Sequence, residues 1–328
     1  MFSPDVTVVL CTYNRAEILR NALRSVILQE TSNRFIYDIL VIDNASTDST
    51  RAVVTEVAAN SPVAVSYVEE QIEGIVPARN RGVREARGVW LAFFDDDQLA
   101  EPDWLRELLS AASLTKSTLV GGSTLLQLPA SQPMELGPIS RNVLGEHLYT
   151  GTARICRDKR IPSSGNMLVA REVFDSIGLF DTSLVAGGSD TDFVRRARGA
   201  GISVSIAPAA IVHHIIPGSR VTPAYLRWTS TRTGYQFAVL DLKYSGRAHM
   251  LARTIARIGQ AILVNIPLLV FACLARNPKS CLDRKCLLWR AVGYVRGASS
   301  LTSRRLFRQP RFLSGLNFRR GKTAFSNR

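Results

Sequence analysis

The feature that most restricts the fold is an alternation of short apolar runs and helical patterns over the first hundred residues. The apolar runs are rich in β-branched residues, which is typical of strands buried on both faces of a sheet. The segments between them space apolar residues at helical intervals, as Ile18, Ala22 and Val26 do. The predicted strands are 6–10, 35–42, 63–68 and 89–94, and the predicted helices are 16–30, 50–59 and 77–86. This order predicts an α/β fold with a doubly wound, mostly parallel sheet that binds ligands at the carboxyl ends of its strands.

After residue 100 the patterns are more mixed. We expect helices at 103–112, 171–177 and 190–198, strands at 119–128, 167–170 and 202–206, and a loop-rich insertion at 129–160.

The charge is distributed very unevenly. The chain of 328 residues has a net charge of +14, which on its own suggests a nucleic-acid partner. From Arg247 to the end, however, 17 Lys and Arg face one acid, Asp283, whereas the first 246 residues hold 24 basic and 26 acidic groups. We therefore predict a near-neutral domain at 1–246 and a basic, partly hydrophobic helical region at 247–328 that meets an anionic membrane surface, with no nucleic-acid partner.

An uncharged stretch of 18 residues lies between Arg257 and Arg276. As one helix it would reach about 27 Å, the lower limit for crossing a bilayer. Asn265 and Pro267 interrupt its middle, and basic residues on both flanks favour the same side of the membrane. The pattern favours a peripheral or re-entrant anchor on the cytoplasmic face over a full span, with a buried core helix as the alternative.

The cysteines predict a reducing compartment. The five cysteines are scattered, odd in number and without a CxxC pair, so we expect reduced thiols rather than disulfides or a zinc site. The N-terminal apolar run is interrupted too early for a signal peptide.

Three adjacent carboxylates, Asp95, Asp96 and Asp97, follow the predicted strand 89–94. Their mutual repulsion would be relieved by a divalent cation bound through oxygen ligands. The alternative is a solvated acidic turn or a helix cap.

Other polar groups follow predicted strands. Asp43 ends a strand, where a carboxylate commonly binds a ribose or a base, although it could equally cap the next helix. Thr12 and Tyr13 end the first strand, and Arg79 lies in a loop near the same edge, where it could also be a surface charge.

Two further groups lie later in the chain. Asp190 and Asp192 enter a helix after two glycines, where capping is a full alternative to catalysis. The pair His213 and His214 is either incidental or ligating, and Arg220 lies in a PGSR segment.

Together these segments resemble the inverting glycosyltransferases of family 2, which have the fold called GT-A. The resemblance extends from residue 6 to about 242, and the later segments are most similar to bacterial exopolysaccharide transferases of the succinoglycan type. It is carried, in order, by TVVLCTYNR, LVIDNASTDST, GIVPARNRGVREARGVWLAFFDDD, EPDWL, SGNMLVARE, GGSDTDF and VHHIIPGSR.

The resemblance implies a sheet with a nucleotide-binding half and an acceptor half, followed by the basic helical extension. It implies that the nucleotide-sugar donor is held by Thr12, Tyr13, Asp43, Arg79, Asp95, Asp96 and Arg220. Asp97 and His213 would bind Mg²⁺ or Mn²⁺. Asp190 matches the usual general base, but Ser189 stands where the family often has glutamate, so Asp192 remains open as the base.

The expected function is transfer of a sugar from a nucleotide-diphosphate donor, expected to be a UDP-hexose, to a growing lipid-linked or oligosaccharide acceptor. The metal would stabilise the leaving diphosphate, and a carboxylate would take the proton of the acceptor hydroxyl. The alternatives are a metal-dependent nucleotidyltransferase, for which no Gly-rich, Lys-bearing loop is visible, and a non-catalytic membrane-binding or nucleic-acid-binding scaffold.

Overall fold

The computed structural model describes residues 3–131, 134–156, 161–185 and 187–303. Within these residues the chain forms two compact units. The first contains residues up to 125, 147–183 and 189–215; the second contains 126–146, 184–188 and the chain from 216 onward. The second unit thus begins before residue 247, where the sequence predicts the start of the helical extension.

The described residues form nine strands and ten α-helices. The strands are β1 Val6–Thr12, β2 Tyr37–Asp43, β3 Val65–Glu69, β4 Trp90–Asp95, β5 Gln98–Ala100, β6 Leu119–Gln127, β7 Arg154–Ile155, β8 Asn166–Ala170 and β9 Val204–Ile215. The helices are α1 Ala16–Ile27, α2 Thr50–Ala59, α3 Ile75–Glu85, α4 Trp104–Thr115, α5 Pro138–Val143, α6 Arg171–Ile177, α7 Ser189–Gly199, α8 Pro223–Gln260, α9 Ile266–Leu274 and α10 Pro278–Thr302.

The strands form one mixed sheet in the order β3-β2-β1-β4-β8-β6-β9-β5, with β7 paired to β9. Strands β3, β2, β1 and β4 are parallel. Strand β8 is antiparallel to both β4 and β6, so β6 runs in the same direction as β4. The predicted α/β class and mostly parallel sheet are confirmed.

Helices cover both faces of this sheet, which explains the uninterrupted apolar runs. Along β1, alternate side chains enter opposite cores. Val9 and Cys11 pack in the core that contains Phe193, whereas Val8 and Leu10 pack in the core that contains Leu105.

Strand β9 is longer than the sequence predicts. The expected strand was 202–206, but β9 runs to Ile215 through Pro208. Its last residues pair with β5, which supplies ladder hydrogen bonds that the local sequence does not reveal. This extension places the two histidines on a strand.

The second unit is helical, and its longest helix is broken at Gly246. This glycine has φ 78° and ψ 174°, a conformation that a residue with a Cβ rarely adopts. Beyond it the chain reverses direction, and two contacts show this. Arg253 Nη1 lies 3.0 Å from Asp241 Oδ1, and the Arg257 guanidinium lies 5.6 Å from the Phe237 ring centroid. Helix α8 therefore has two antiparallel arms, 223–245 and 247–260.

Helix α10 packs closely on the first arm of α8. A Cβ at Gly293 would lie only 1.9 Å from the backbone oxygen of Thr231, so the two backbones are in direct contact. The Asp283 carboxylate accepts hydrogen bonds from the backbone N–H groups of Ile139 (3.1 Å) and Ser140 (2.8 Å) at the start of α5. The part of the predicted helical extension at 304–328 lies outside the described residues.

Candidate active site

Three predicted site residues lie at one edge of the sheet because their strands are parallel and in register. Thr12 at the end of β1 is paired with Asp43 at the end of β2. Asp95 at the end of β4 is paired with Cys11, the neighbour of Thr12. The carboxyl ends of parallel strands are where α/β sheets bind ligands.

Arg15 holds two members of the acidic triplet. Its Nη1 lies 2.5 Å from Asp96 Oδ1 and 3.0 Å from Asp97 Oδ2. Thr12 Oγ1 donates a hydrogen bond of 2.9 Å to Asp96 Oδ2. The charge of Asp96 is the largest influence on Arg15 and raises the pKa of its guanidinium above the usual value. Both aspartates are buried, so their charges are compensated within the protein rather than by bulk water.

Arg79 joins the third member of the triplet to a distant segment. This buried guanidinium lies 3.4 Å from Asp95 Oδ1 through Nη2 and 3.2 Å from Asp190 Oδ1 through Nη1. Burial alone would lower the pKa of Arg79, but the charges of Asp190 and Asp95 raise it above its usual value. Arg79 therefore brings Asp190, at the start of α7, to the edge formed by β4.

Asp190 and Asp192 have different surroundings although both lie in the first turn of α7. The Asp190 side chain is 29% exposed, and its Oδ2 accepts a hydrogen bond of 3.2 Å from the backbone N–H of Ser164. Asp192 is fully buried, with Arg196 Nε 2.9 Å from its Oδ2. Arg196 also donates to the backbone oxygens of Ile177 and Leu179, so the Asp192–Arg196 pair fixes α7 to the preceding loop.

The structure places His214, and not the predicted metal ligand His213, beside the acidic triplet. His214 Nε2 lies 3.5 Å from Asp97 Oδ1. His213 Nε2 lies 2.6 Å from Glu101 Oε1. Neighbouring residues of a strand point to opposite faces, so only one of the two histidines can face Asp97.

Asp43 is fixed by a tyrosine and a turn. Tyr67 Oη donates a hydrogen bond of 2.6 Å to Asp43 Oδ2, and the backbone N–H of Ser46 donates one of 3.0 Å to Oδ1. Burial, followed by the hydrogen bond to Asp43, raises the pKa of Tyr67. The Asp43 carboxylate is buried and oriented, as a group that selects a ligand needs to be.

The two other predicted site residues, Tyr13 and Arg220, belong to different units. Tyr13 is half-buried directly after β1. Arg220 ends a short 3₁₀ turn, Gly218–Arg220, in the second unit, where its guanidinium lies 6.0 Å from the Tyr225 ring centroid.

The sequence did not reveal that Arg15 and His214 contact the acidic triplet. Arg15 directly follows the TYN segment, but its contact with residues 96 and 97 requires the fold. The predicted strand ended at residue 206, so the sequence offered no basis for choosing between the two adjacent histidines.

The residues present can hold a divalent cation with help from a ligand. Within the described ranges, no three His, Cys, Asp or Glu side chains form a metal-binding group. Asp97 Oδ1 and His214 Nε2 nevertheless lie 3.5 Å apart, close to the roughly 3 Å between neighbouring ligands of an octahedral ion. Mg²⁺ is commonly bound by one or two protein groups together with substrate phosphates. The donor set therefore fits Mg²⁺ or Mn²⁺ that also binds a diphosphate.

The mixed sheet, with carboxylates and guanidiniums clustered at the ends of its parallel strands, has the architecture of the GT-A fold. The family model described as glycosyl transferase family 2 matches residues 7–178. The chain therefore belongs to glycosyltransferase family 2, as the sequence motifs indicate.

Two curated relatives support this assignment. The chain is 30% identical over 231 residues to the succinoglycan biosynthesis protein ExoM of Rhizobium meliloti. The aligned region covers 70% of this chain and 72% of ExoM. It is 28% identical over 211 residues to the glycosyltransferase AglE of Haloferax volcanii. The aligned region covers 64% of this chain and 67% of AglE.

Solved structures share the fold. The mannosyltransferase PcManGT of Pyrobaculum calidifontis, in complex with GDP-Man and Mn²⁺, has a TM-score of 0.62 at 19% identity, covering 90% of this chain and 87% of PcManGT. GalNAc-T7 with UDP, GalNAc and Mn²⁺ has a TM-score of 0.53 at 19% identity, covering 72% of this chain and 50% of GalNAc-T7.

Proposed function

We propose that this protein is an inverting glycosyltransferase that moves a sugar from a nucleoside-diphosphate donor, a UDP-hexose, to a growing lipid-linked glycan. The observation that carries the proposal is the position of Arg79 between Asp95 and Asp190. It joins a carboxylate at the proposed nucleotide-binding edge to one on another segment, which supports one site for both donor and acceptor groups.

The nucleoside would be held by the strand-end residues. Asp43, oriented by Tyr67 and Ser46, presents a fixed carboxylate to a ribose or base, with Thr12 and Tyr13 next to it along the edge. Arg15 keeps Asp96 and Asp97 together before the donor binds. Arg220 is assigned to the diphosphate on the family resemblance.

Asp97 and His214 would hold the divalent cation. When bound, Mg²⁺ or Mn²⁺ stabilises the negative charge of the leaving diphosphate. The presence of Mn²⁺ in both structural neighbours supports this assignment.

Asp190 is the proposed base. Arg79 and the Ser164 N–H fix its carboxylate, while its partial exposure leaves it accessible to an acceptor. The acceptor oxygen forms a bond to the anomeric carbon, the bond from that carbon to the diphosphate oxygen breaks, and the electron pair leaves with the nucleoside diphosphate. The hydroxyl proton goes to Asp190. One displacement of this kind inverts the anomeric configuration.

The helical extension supports the proposed acceptor and location. The exposed apolar residues at 251–274 and the basic residues around them support association with the cytoplasmic face of the cell membrane, where nucleotide sugars are made and lipid-linked glycans grow. The similarity to ExoM supports an exopolysaccharide product.

A donor panel tests the proposal. The purified full chain is incubated with UDP-, GDP- and dTDP-sugars, Mn²⁺ or Mg²⁺ and a membrane-lipid extract. We expect release of the nucleoside diphosphate from one donor and a glycolipid whose new bond has the opposite anomeric configuration by NMR. Release of pyrophosphate from nucleoside triphosphates would favour the nucleotidyltransferase, and no turnover with any donor would favour the non-catalytic scaffold.

A further inference from the structure

The second arm of α8, the π-helical turn Ala261–Asn265 and α9 form one continuous helix from 247 to 274, which we call the apolar helix. Only 11% of its most apolar 18-residue window is buried within the described residues. From Leu251 to Ile262 its exposed large side chains recur every three or four residues, and from 262 to 274 most side chains away from the buried Asn265 and Ala272 are exposed. We call this exposed apolar surface the stripe. The stripe contains Leu251, Ile255, Ile258, Ile262, Leu263, Val264, Ile266, Leu268, Val270, Phe271 and Leu274.

The opposite face of the apolar helix is attached to α10. Asn265 is buried, and its Oδ1 accepts a hydrogen bond of 3.3 Å from Arg284 Nη1. Further back, the Arg257 guanidinium lies 4.4 Å from the Tyr294 ring centroid. Asn265 thus contacts Arg284, and Arg257 contacts Tyr294 further along α10. The two helices are therefore antiparallel neighbours, joined by the short turn at 275–277.

This packing disfavours an orientation in which the apolar helix crosses the bilayer, although the helix is long and apolar enough to do so. Asn265 lies near the middle of the uncharged stretch, and its partner Arg284 adjoins the exposed Lys285 on α10. A transmembrane orientation would carry both cations to the hydrocarbon centre, where charged side chains are costly. An orientation in the plane of the membrane instead buries the stripe and keeps α10 on the aqueous side.

We propose that the apolar helix lies in the plane of an anionic leaflet, with its stripe inserted at the boundary between headgroups and acyl chains. The charge supports lipid as the occupant, because residues 247–303 carry nine Lys and Arg against one acid. Arg247 and Arg276, both exposed, lie at the two ends of the helix. The inference rests on the proposed membrane location and is independent of the transfer chemistry.

Vesicle sedimentation tests the stripe. The full chain is mixed with vesicles of phosphatidylglycerol and phosphatidylethanolamine in low and high salt. The test variant carries L263S, F271S and L274S, which alter side chains 69–78% exposed. The matched control carries L28S, I72S and L114S on the first unit, which are 66–71% exposed. Both variants are checked for folding by circular dichroism.

We expect the wild type and the control to stay bound in high salt and the test variant to lose at least tenfold in binding. Equal binding of all three proteins would overturn the proposal. So would a wild-type dimer in solution that the test variant converts to a monomer, because a second copy would then cover the stripe. Donor hydrolysis in detergent is measured in parallel, so a failure of the transferase assignment is detected separately.

Reporter fusions at residue 328 of the unaltered chain test the orientation and need no folded variant. The in-plane helix leaves both chain ends in the cytoplasm, so we expect a fluorescent green fluorescent protein fusion and an inactive alkaline phosphatase fusion. An active phosphatase fusion would place the C-terminus outside and would overturn the in-plane orientation.

Discussion

At the residue scale, two arginines divide the carboxylates of the site between them. Arg15 contacts Asp96 and Asp97, and Arg79 contacts Asp95 and Asp190. Each guanidinium is planar and holds several N–H donors in a fixed geometry. It can therefore bridge two carboxylates that would otherwise repel each other. The acidic groups are therefore held in place before a donor or metal binds.

The proposed metal ligands can be tested by an adjacent pair of variants. We expect His214→Ala to weaken Mn²⁺ binding by at least about tenfold, because it removes one of the two donor atoms beside the diphosphate. His213→Ala should leave Mn²⁺ binding unchanged, since that side chain contacts Glu101 instead. The measurement is calorimetric titration of Mn²⁺ into the protein saturated with UDP.

Asp97→Ala should abolish transfer and remove the dependence of UDP binding on metal. A variant that keeps near-wild-type turnover and still requires metal would refute the assignment of Asp97. A larger effect of His213→Ala than of His214→Ala would return the ligand role to the residue that the sequence predicts.

The base can be assigned by comparing Asp190→Asn with Asp192→Asn. The first should lower kcat by at least about 10²-fold while UDP binding survives, because the amide cannot take the acceptor proton. The second should lower stability by about 1–3 kcal/mol, since it removes the charged partner of Arg196 at a fully buried position, with little change in kcat. Thermal unfolding and steady-state kinetics separate the two effects, and the reverse ranking of kcat would make Asp192 the base.

The sequence indicated which residues lie near one another, but it did not indicate which side chains form ion pairs. Asp43 and the acidic triplet were found because they end apolar runs, and parallel strands bring such ends together. The pairing of Arg15 with residues more than eighty positions away depends on side-chain directions that a linear pattern does not contain. The choice between His213 and His214 depended on the extension of β9 beyond Pro208, where β9 pairs with β5.

At the scale of elements, the contact between α8 and α10 depends on glycine. We expect Gly293→Ala to lower the free energy of unfolding by about 1–3 kcal/mol, because its methyl group would meet the Thr231 backbone oxygen and force the helices apart. Gly259→Ala is the matched control, since a Cβ there meets nothing within 4 Å. The control should raise stability by up to about 1 kcal/mol through helix propensity.

Thermal or denaturant unfolding of the two glycine variants provides the measurement. Equal effects would mean that α8 and α10 separate easily in solution. The sequence predicted helices in this region from the uncharged stretch and its basic flanks. It did not reveal the reversal at Gly246, because glycine inside a helical pattern is compatible with both a continuous and a broken helix.

At the scale of the whole molecule, the described part of the helical extension, 247–303, belongs to a folded unit and is not a removable tail. Helix α10 contributes Leu282 and Cys286 to the core around Tyr225 and Leu226, and its Asp283 caps α5. We expect truncation after Ser245 to expose this core and yield an aggregating protein, whereas truncation after Ser303 should leave a folded one. Size-exclusion chromatography and thermal unfolding compare the two, and a stable monomer ending at Ser245 would contradict this interpretation.

The segment 304–328 should add to the salt-dependent part of membrane binding that the basic residues of 247–303 also provide. It carries eight Lys and Arg and no acid, and each basic residue near an anionic leaflet contributes about 1 kcal/mol at low salt. Removing it should therefore weaken binding to anionic vesicles strongly in low salt. The measurement is vesicle sedimentation of the full chain and the chain ending at Ser303 across a salt series.

The two proteins should converge as salt rises, because screening removes the electrostatic part and leaves the apolar stripe, which both chains keep. On neutral vesicles they should bind equally at every salt concentration. A shortened chain that binds anionic vesicles more tightly than the full chain would mean that 304–328 covers the stripe. Identical binding in low salt would mean that the charge of this segment serves a partner other than the membrane.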